Sequence, residues 1–504
     1  MNDKIRKYSF IFFICVAFLS VVGCGSDDVT PEETKPKTIT ITSDTSKIDF
    51  LTKGNTAAVK VTTNATAWTV TTSGATWIQL SQLSGGTGAT TLGITASENT
   101  TTETRTAVII ISSNQVASVK ITVSQVGVAP VTSLYPSYNI NPLPADETGM
   151  ASNAVELAAK IKLGWNIGNT LEATGGETAW GNPKVTKALI DLVKANGFNA
   201  IRIPCSWNQN LANATTAQIK TEWLNRVKEV VQYCVDNDMY VIVNIHWDGG
   251  WLENNIIDAK KSENNAKQKA FWEQIATHLR GFDEHLLFGS ANEPNVENAA
   301  QMAVLTSYHQ TFIDAVRSTG GKNAFRTLIV QGPSTDIEKT NKLMTVLPTD
   351  KTANRMMAEV HYYSPWNFGG LTKDETWGKM FYYWGAGYHS ATDTERNATW
   401  GEEADLEKNF KLMKTQFVDK GIPVVLGEFG AIRRTTLTGD ALTLHLASRA
   451  YYLKTVVKQA KANGLLPFYW DEGSLGDKGF GIFKRSDNTV FDTQALNGLL
   501  DGLK

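Results

Sequence analysis

The spacing of apolar and polar positions changes character three times along the chain. At the start, Lys4, Arg6 and Lys7 precede an apolar run from Ser9 to Val22 that is too short to span a bilayer comfortably, which predicts an export signal. From residue 37 to 127, Thr, Ser, Val and Ile dominate. Runs such as AAVKVTT, WTVTT, TAVIIISS and VKITVSQVG alternate or cluster β-branched residues at strand length, with Gly and Asn between them and no helical period. These features predict an all-β sandwich of immunoglobulin-like size. Residues 128–146 hold four prolines and little periodicity, and read as an extended, semi-stiff linker.

From residue 147 to 504, helical stripes alternate with short apolar runs. Leu189, Ile190 and Val193 form a helical stripe, Gly197 stops it, and Ala200 to Pro204 reads as a strand. Trp223, Val227, Val230, Val231 and Cys234 keep helical spacing ahead of a strand from Tyr240 to Ile245. Six more strands are predicted at Ile161–Trp165, Leu286–Ser290, Thr327–Gln331, Arg355–Val360, Pro423–Leu426 and Leu465–Tyr469. Eight strands separated by helices over about 350 residues predict an α/β domain built as a (β/α)8 TIM barrel with insertions. A doubly wound open sheet is the rival, but no Gly-rich nucleotide fingerprint opens a helix.

Composition narrows the function. At 504 residues the chain exceeds one ordinary core. Its formal net charge is -2 and no Lys/Arg cluster lies beyond the extreme N-terminus, which argues against a nucleic-acid partner. Cys15 falls in the signal and Cys24 at its end, leaving Cys205 and Cys234 in the body. Two cysteines are no disulfide framework; they can pair, but Cys234 continues an apolar helical face and is expected to be buried and free. Seven histidines form no HExxH pair, no Asp-rich calcium loop is present, and no serine sits in a GxSxG elbow, so neither metal nor cofactor is expected.

The predicted strand ends carry the candidate chemistry, because active sites of this fold sit at the C-terminal ends of the strands. Arg202 and Trp207 follow the second strand, His246 and Trp247 the third, Asn292 and Glu293 the fourth. His361, Tyr362 and Tyr363 end the sixth, Glu428 the seventh and Trp470 the eighth. A buried strand that breaks onto a carboxylate must present that charge to a cavity or a substrate. Two such ends, Glu293 and Glu428, suit glycosidic cleavage, which needs one carboxyl to protonate the leaving oxygen and another to meet the oxocarbenium-like centre. Sequence does not give their separation, which distinguishes retention from inversion.

The motifs GWNIGNTLEA, TAWGNP, IRIPCSW, NIHW, ANEP, VHYYSPW, VLGEFG and FYWDEG together resemble glycoside hydrolase family 5, and the first two its subfamily 4, which holds endo-acting β-1,4-glucanases, many of them active on xyloglucan. The resemblance implies a polysaccharide substrate, with Glu293 as acid/base and Glu428 as nucleophile of a retaining mechanism. Arg202 is then the partner of Glu428, Asn292 the contact to the neighbouring sugar hydroxyl, and Tyr363 the residue orienting the nucleophile. His246 and His361 line the scissile subsite, and Trp470 is a sugar platform. An endo-xylanase or mixed-linkage glucanase on the same fold, or a non-catalytic surface glycan-binding lipoprotein, are the alternatives. Trp180, Trp207, Trp251, Trp366, Trp377, Trp384 and Trp400 fall in expected loops, and residues 364–403, rich in Trp, Tyr and Gly, are expected to build one wall of a cleft.

Two further resemblances concern the N-terminal part. Residues 37–127, through Trp68, Trp77 and the terminal VSQVG, resemble the BACON-like β domain found ahead of Bacteroidetes glycan-degrading enzymes; it is either a sugar binder using those tryptophans or a spacer. LSVVGC resembles a lipoprotein cleavage box, implying a signal peptide over 1–23, lipidation of Cys24, an acidic polar tether over 24–36, and an outer-membrane lipid anchor, at the cell surface beside other glycan-binding proteins. An ordinary signal peptide with an incidental cysteine is the alternative.

Overall fold

The computed structural model describes residues 38–128 and 133–504; the export signal, Cys24 and the whole of the tether lie outside the described residues. The chain divides into two units, one up to Thr132 and one from Ser133 onward.

In the first unit the β-branched runs form two sheets. One has four strands in the order 41–43, 55–63, 88–96, 78–80, and the other five in the order 47–50, 116–125, 105–113, 68–71, 84–85. Every second residue points inward: Val59 and Val61, Leu92 and Ile94, Ile109 and Ile111, Ile121 and Val123 are all fully buried. Trp68 is core, its indole N–H donating to the Gly86 carbonyl at 3.2 Å. The Trp77 ring is covered by the Arg105 guanidinium 4.5 Å from its centroid. Both indoles are therefore used in the sandwich's own packing.

In the second unit eight parallel strands close a barrel: β1 (Gly164–Ile167), β2 (Ala200–Ile203), β3 (Tyr240–Asn244), β4 (Leu286–Gly289), β5 (Leu328–Gln331), β6 (Met356–Tyr362), β7 (Val424–Phe429) and β8 (Leu465–Asp471). Each lies where the apolar runs place it. β1 begins three residues late, while β6, β7 and β8 run further than expected, so His361, Glu428 and Trp470 belong to strands rather than to the loops beyond them. Alternation separates two cores. Ala200, Ile242, Leu287, Ile329, Met357, Val425, Leu466 and Phe468 fill the barrel, and helix α1 (Ala154–Lys160) adds Ala154 and Leu157 to that cluster. Their neighbours in sequence, such as Ile201, Val241, Val243, Leu286 and Leu426, join the outer core with the helices.

The segment expected as a linker is, from residue 133 onward, part of the barrel unit. The Glu273 carboxylate collects the Ser137 hydroxyl and the backbone N–H groups of Tyr138 and Asn139, and residues 143–145 pair with Gly320–Gly321. Proline content signalled extended backbone, but extended backbone here finds partners. Cys205 and Cys234 are both buried and free. Among the described residues no helix is long and apolar enough to cross a membrane.

Candidate active site

Two residues beyond the apolar filling, on the same face of each strand, the barrel interior turns polar. Arg202 follows Ala200, Asn244 follows Ile242, Gln331 follows Ile329 and Glu359 follows Met357, and all four are fully buried. Buried charges at this depth must be paired. The Arg202 Nε lies 3.0 Å from Glu359 Oε1. Its Nη1 donates to Glu428 Oε1 at 2.8 Å and to Asn166 Oδ1 at 3.0 Å, and its Nη2 donates to Asn292 Oδ1 at 2.7 Å. One guanidinium thus fixes residues from β1, the β4 end, β6 and β7. Gln331 donates to the second oxygen of Glu359 at 2.6 Å.

His361 stands one step above Glu359. Its Nε2 is 3.1 Å from Glu359 Oε1, and its Nδ1 is 2.7 Å from Glu293 Oε1 and 3.8 Å from Glu428 Oε2. A ring with carboxylates at both nitrogens fits the doubly protonated form, which has two donors. Burial pushes its pKa down, but the Glu428 charge and the bonds to Glu293 and Glu359 outweigh burial and raise it to about 9.

Glu428 owes its aim to a β-bulge. Val360 pairs with Leu426, whereas His361 pairs with Glu428, so Gly427 is an extra residue that turns the strand end toward the mouth. Only glycine fits there, since a Cβ on Gly427 would stand 2.0 Å from Glu359 Oε1. The Tyr363 hydroxyl donates to Glu428 Oε2 at 2.9 Å, so both Glu428 oxygens have a fixed donor.

Glu293 is held differently. Its backbone N–H donates to Glu253 Oε1 at 2.7 Å, while its side chain stays 45% exposed to the cleft. Oxygens of Glu293 and Glu428 and a nitrogen of His361 lie within 4.8 Å of one another. Burial drives the Glu428 carboxyl up, against His361 and Arg202. Burial also acts upward on Glu293, but the bond and charge of His361 hold it below the usual carboxylate range. The two acids and His361 therefore titrate as one unit. This trio is also the His/Asp/Glu group with ligand-like spacing among the described residues, but Arg202 beside it and the proton on His361 oppose a bound cation.

His246 and Trp470 lie with parallel rings, centroids 5.9 Å apart. Burial, then the charges of Arg202 and His361, keep His246 well below its ordinary pKa, so it is neutral, with Nδ1 facing the Asn244 amide at 3.4 Å. A cavity of about 520 Å3 is lined by His361, Tyr363, Trp366 and Trp400, both tryptophans half-exposed, together with Asp336, Asp405 and Lys408. The tryptophans that sequence placed together in loops separate here. Trp384 is fully buried, bonding the Gly401 carbonyl at 2.8 Å and packing edge-on to Tyr452, and Trp207 is fully buried with its N–H on the Asn244 carbonyl. Trp384 therefore supports the wall from behind, and Trp400 and Trp366 face the cavity.

The structure gathers Arg202, Asn292, Glu293, His361, Tyr363 and Glu428 at one opening, with His246 and Trp470 beside them. Sequence reading missed Asn166, Glu253, Gln331 and Glu359. Glu359 had a signal, an acid in the apolar strand MMAEVHY two places before His361 and hence on its face. Glu253 had none, because its loop reaches the site only through the fold.

Residues 166–476 match the family described as cellulase (glycosyl hydrolase family 5), and residues 66–126 match BACON, a putative N-terminal binding domain. The chain is 34% identical to a xyloglucan-specific endo-beta-1,4-glucanase of Bacteroides ovatus, over 98% of this chain and 96% of that protein. It is 38% identical to endoglucanase A of Paenibacillus barcinonensis, over 70% of this chain and 90% of that one. The solved Bacteroides ovatus family 5 xyloglucanase in complex with a XXXG heptasaccharide superposes with a TM-score of 0.68 at 32% identity, covering 92% of this chain and 99% of that one. The chain belongs to glycosyl hydrolase family 5.

Proposed function

We propose that this protein hydrolyses β-1,4-glucan backbones internally by double displacement, with xyloglucan as its favoured polymer. The observation that carries the mechanism is the distance between Glu293 and Glu428. Carboxyl oxygens within 4.8 Å suit direct attack on the anomeric carbon, whereas inversion needs about 6.5–9.5 Å to admit a water. The preference for xyloglucan draws on the relatives, one of them named as specific for that polymer.

In the first step a Glu428 oxygen bonds to the anomeric carbon as the bond to the leaving sugar breaks, and the leaving oxygen takes a proton from Glu293. Glu428 loses its charge in this step. That charge is the strongest upward influence on His361, so as it falls the imidazolium gives up its proton to Glu293, 2.7 Å away, and this is the proton passed to the leaving oxygen, which leaves Glu293 a bare carboxylate for the second step. In the second step Glu293 takes a proton from water, the water oxygen bonds to the anomeric carbon, and the ester to Glu428 breaks. Asn292, fixed by Arg202, is placed to bond the hydroxyl next to the reacting carbon, and Trp470 offers an aromatic face to the sugar.

The proposal extends to the N-terminal part: Cys24 is lipidated, the anchor holds the enzyme at the outer membrane facing outward, and the sandwich serves as a spacer near other surface glycan-binding proteins. Engagement of Trp68 and Trp77 within the sandwich supports the spacer role. Reducing-sugar release on xyloglucan, barley β-glucan, carboxymethylcellulose, xylan and glucomannan tests the polymer; fastest release from xylan or glucomannan would refute it. Incorporation of labelled palmitate that is lost in Cys24→Ala tests the anchor.

A further inference from the structure

Three hydrogen bonds join the loop after β3 to the loop carrying the acid. Glu293 N–H donates to Glu253 Oε1 at 2.7 Å, Asn295 N–H to the Glu253 carbonyl at 3.1 Å, and the Asn295 amide to Asn254 Oδ1 at 2.6 Å. Glu253 is buried, with 4% of its surface exposed, and the Asn292 amide acts on the same carboxyl. Asn292 is tied through its oxygen to Arg202, which leaves its N–H2 for Glu253 and substrate. A buried acid with no cation of its own among the described residues, bonded to the backbone of Glu293, is an expensive arrangement for stability alone.

We propose that Glu253 is a positioning residue for the reaction, its carboxylate fixing the Asn292–Glu293 backbone and its negative charge holding the proton on Glu293. The proposal rests on the assignment of Glu293 as acid/base. The charged groups around Glu253 are Glu293 and Glu428; Glu293 in turn faces His361 and Arg202, and Glu428 faces His361, Arg202 and Tyr363. Burial, more than the neighbouring acids, raises Glu253 to about 7, so it acquires its charge over the pH range in which the unit of Glu293, His361 and Glu428 must keep the proton that Glu293 delivers. A like charge beside Glu293 raises the proton affinity of Glu293. Removing it moves the alkaline limb of the rate profile to lower pH.

Glu253→Gln keeps an oxygen for the Glu293 N–H and deletes the charge. Its alkaline limb of kcat/KM on xyloglucan is expected to move down by about half a pH unit. Glu253→Ala deletes the acceptor too, and misplacement of the acid is expected to lower kcat/KM on xyloglucan by about tenfold to a hundredfold. On an aryl cellobioside whose dinitrophenolate departs without a proton, the loss in kcat/KM is expected to stay below about threefold, because kcat/KM reports the first step and that step then needs no proton from Glu293. A Glu253→Gln profile superimposed on the wild type, or equal losses on both substrates in Glu253→Ala, overturns the proposal. If Glu253→Ala does not fold, the Gln profile decides alone. Glu293→Ala is assayed alongside: undiminished cleavage of xyloglucan there refutes the acid/base assignment itself, not the role of Glu253.

Discussion

Replacing Tyr363 by phenylalanine deletes one oxygen from the site and nothing else. The lost hydroxyl donates to Glu428 Oε2 at 2.9 Å, while Arg202 keeps its 2.8 Å bond to the other oxygen. A hydrogen bond to a charged group contributes about 1.5–3 kcal/mol, and one pKa unit corresponds to about 1.4 kcal/mol. The bond stabilises the ionised carboxylate, so its loss favours the protonated form and raises the pKa of Glu428. The acid limb of kcat/KM, which reports ionisation of the nucleophile, should therefore move to higher pH by about one unit. Burial first, then the charges of Glu428 and Glu293, raise the phenol itself well above its ordinary value, so wild-type Tyr363 remains a donor throughout the measurement. The assay is initial-rate hydrolysis of soluble xyloglucan from pH 4 to 9 for both proteins. An acid limb that stays in place, or moves to lower pH, would show that Tyr363 does not act on Glu428 in the manner drawn here.

The other predictions concern support of the cleft and of the buried charges. Trp384→Ala should cost about 3–5 kcal/mol of stability, read as a lower midpoint in urea, because it empties a fully buried site. Trp400→Ala should leave that midpoint in place and raise KM on polymer several-fold; an unchanged KM removes Trp400 from the cleft wall. Arg202→Met should lose about 3–5 kcal/mol and nearly all activity, since Glu359 and Glu428 are left buried without their cation, and a stable, active variant would contradict that pairing. Stability should also fall as pH rises from about 5 to 9. His361, raised to about 9, contributes fully below its unfolded value near 6.5 and is lost through 9. Glu172, Asp248, Glu253 and Glu472, each raised to about 7 by burial above all, favour the folded state while protonated and lose that advantage as pH climbs from about 4 to 7. Thermal melts at pH 5.5, 7 and 9 check the order.

Much of this fold could be read from short-range pattern. Strand alternation with a β-branched bias marks the sandwich, and the eight apolar runs mark the barrel because each is buried on both faces. The acids were legible for the same reason: Glu293 and Glu428 interrupt apolar strands at the end where this fold carries chemistry. What sequence concealed depends on long-range closure. Glu253 meets Glu293 across 40 positions, and Trp384 differs from Trp400 only in which side of the wall it faces. Residues 133–146 look like a linker because the Glu273 carboxylate that accepts their hydrogen bonds lies more than 130 positions away.

The central claim is that Glu428 attacks the sugar while Glu293, a few ångströms across the opening, supplies the proton. Incubation with a 2-deoxy-2-fluoro cellobioside carrying a good leaving group slows turnover of the covalent intermediate, and peptide mass mapping then locates the sugar. A single labelled peptide with the adduct on Glu428 is the predicted result; an adduct on any other side chain, or inactivation without an adduct, contradicts the mechanism.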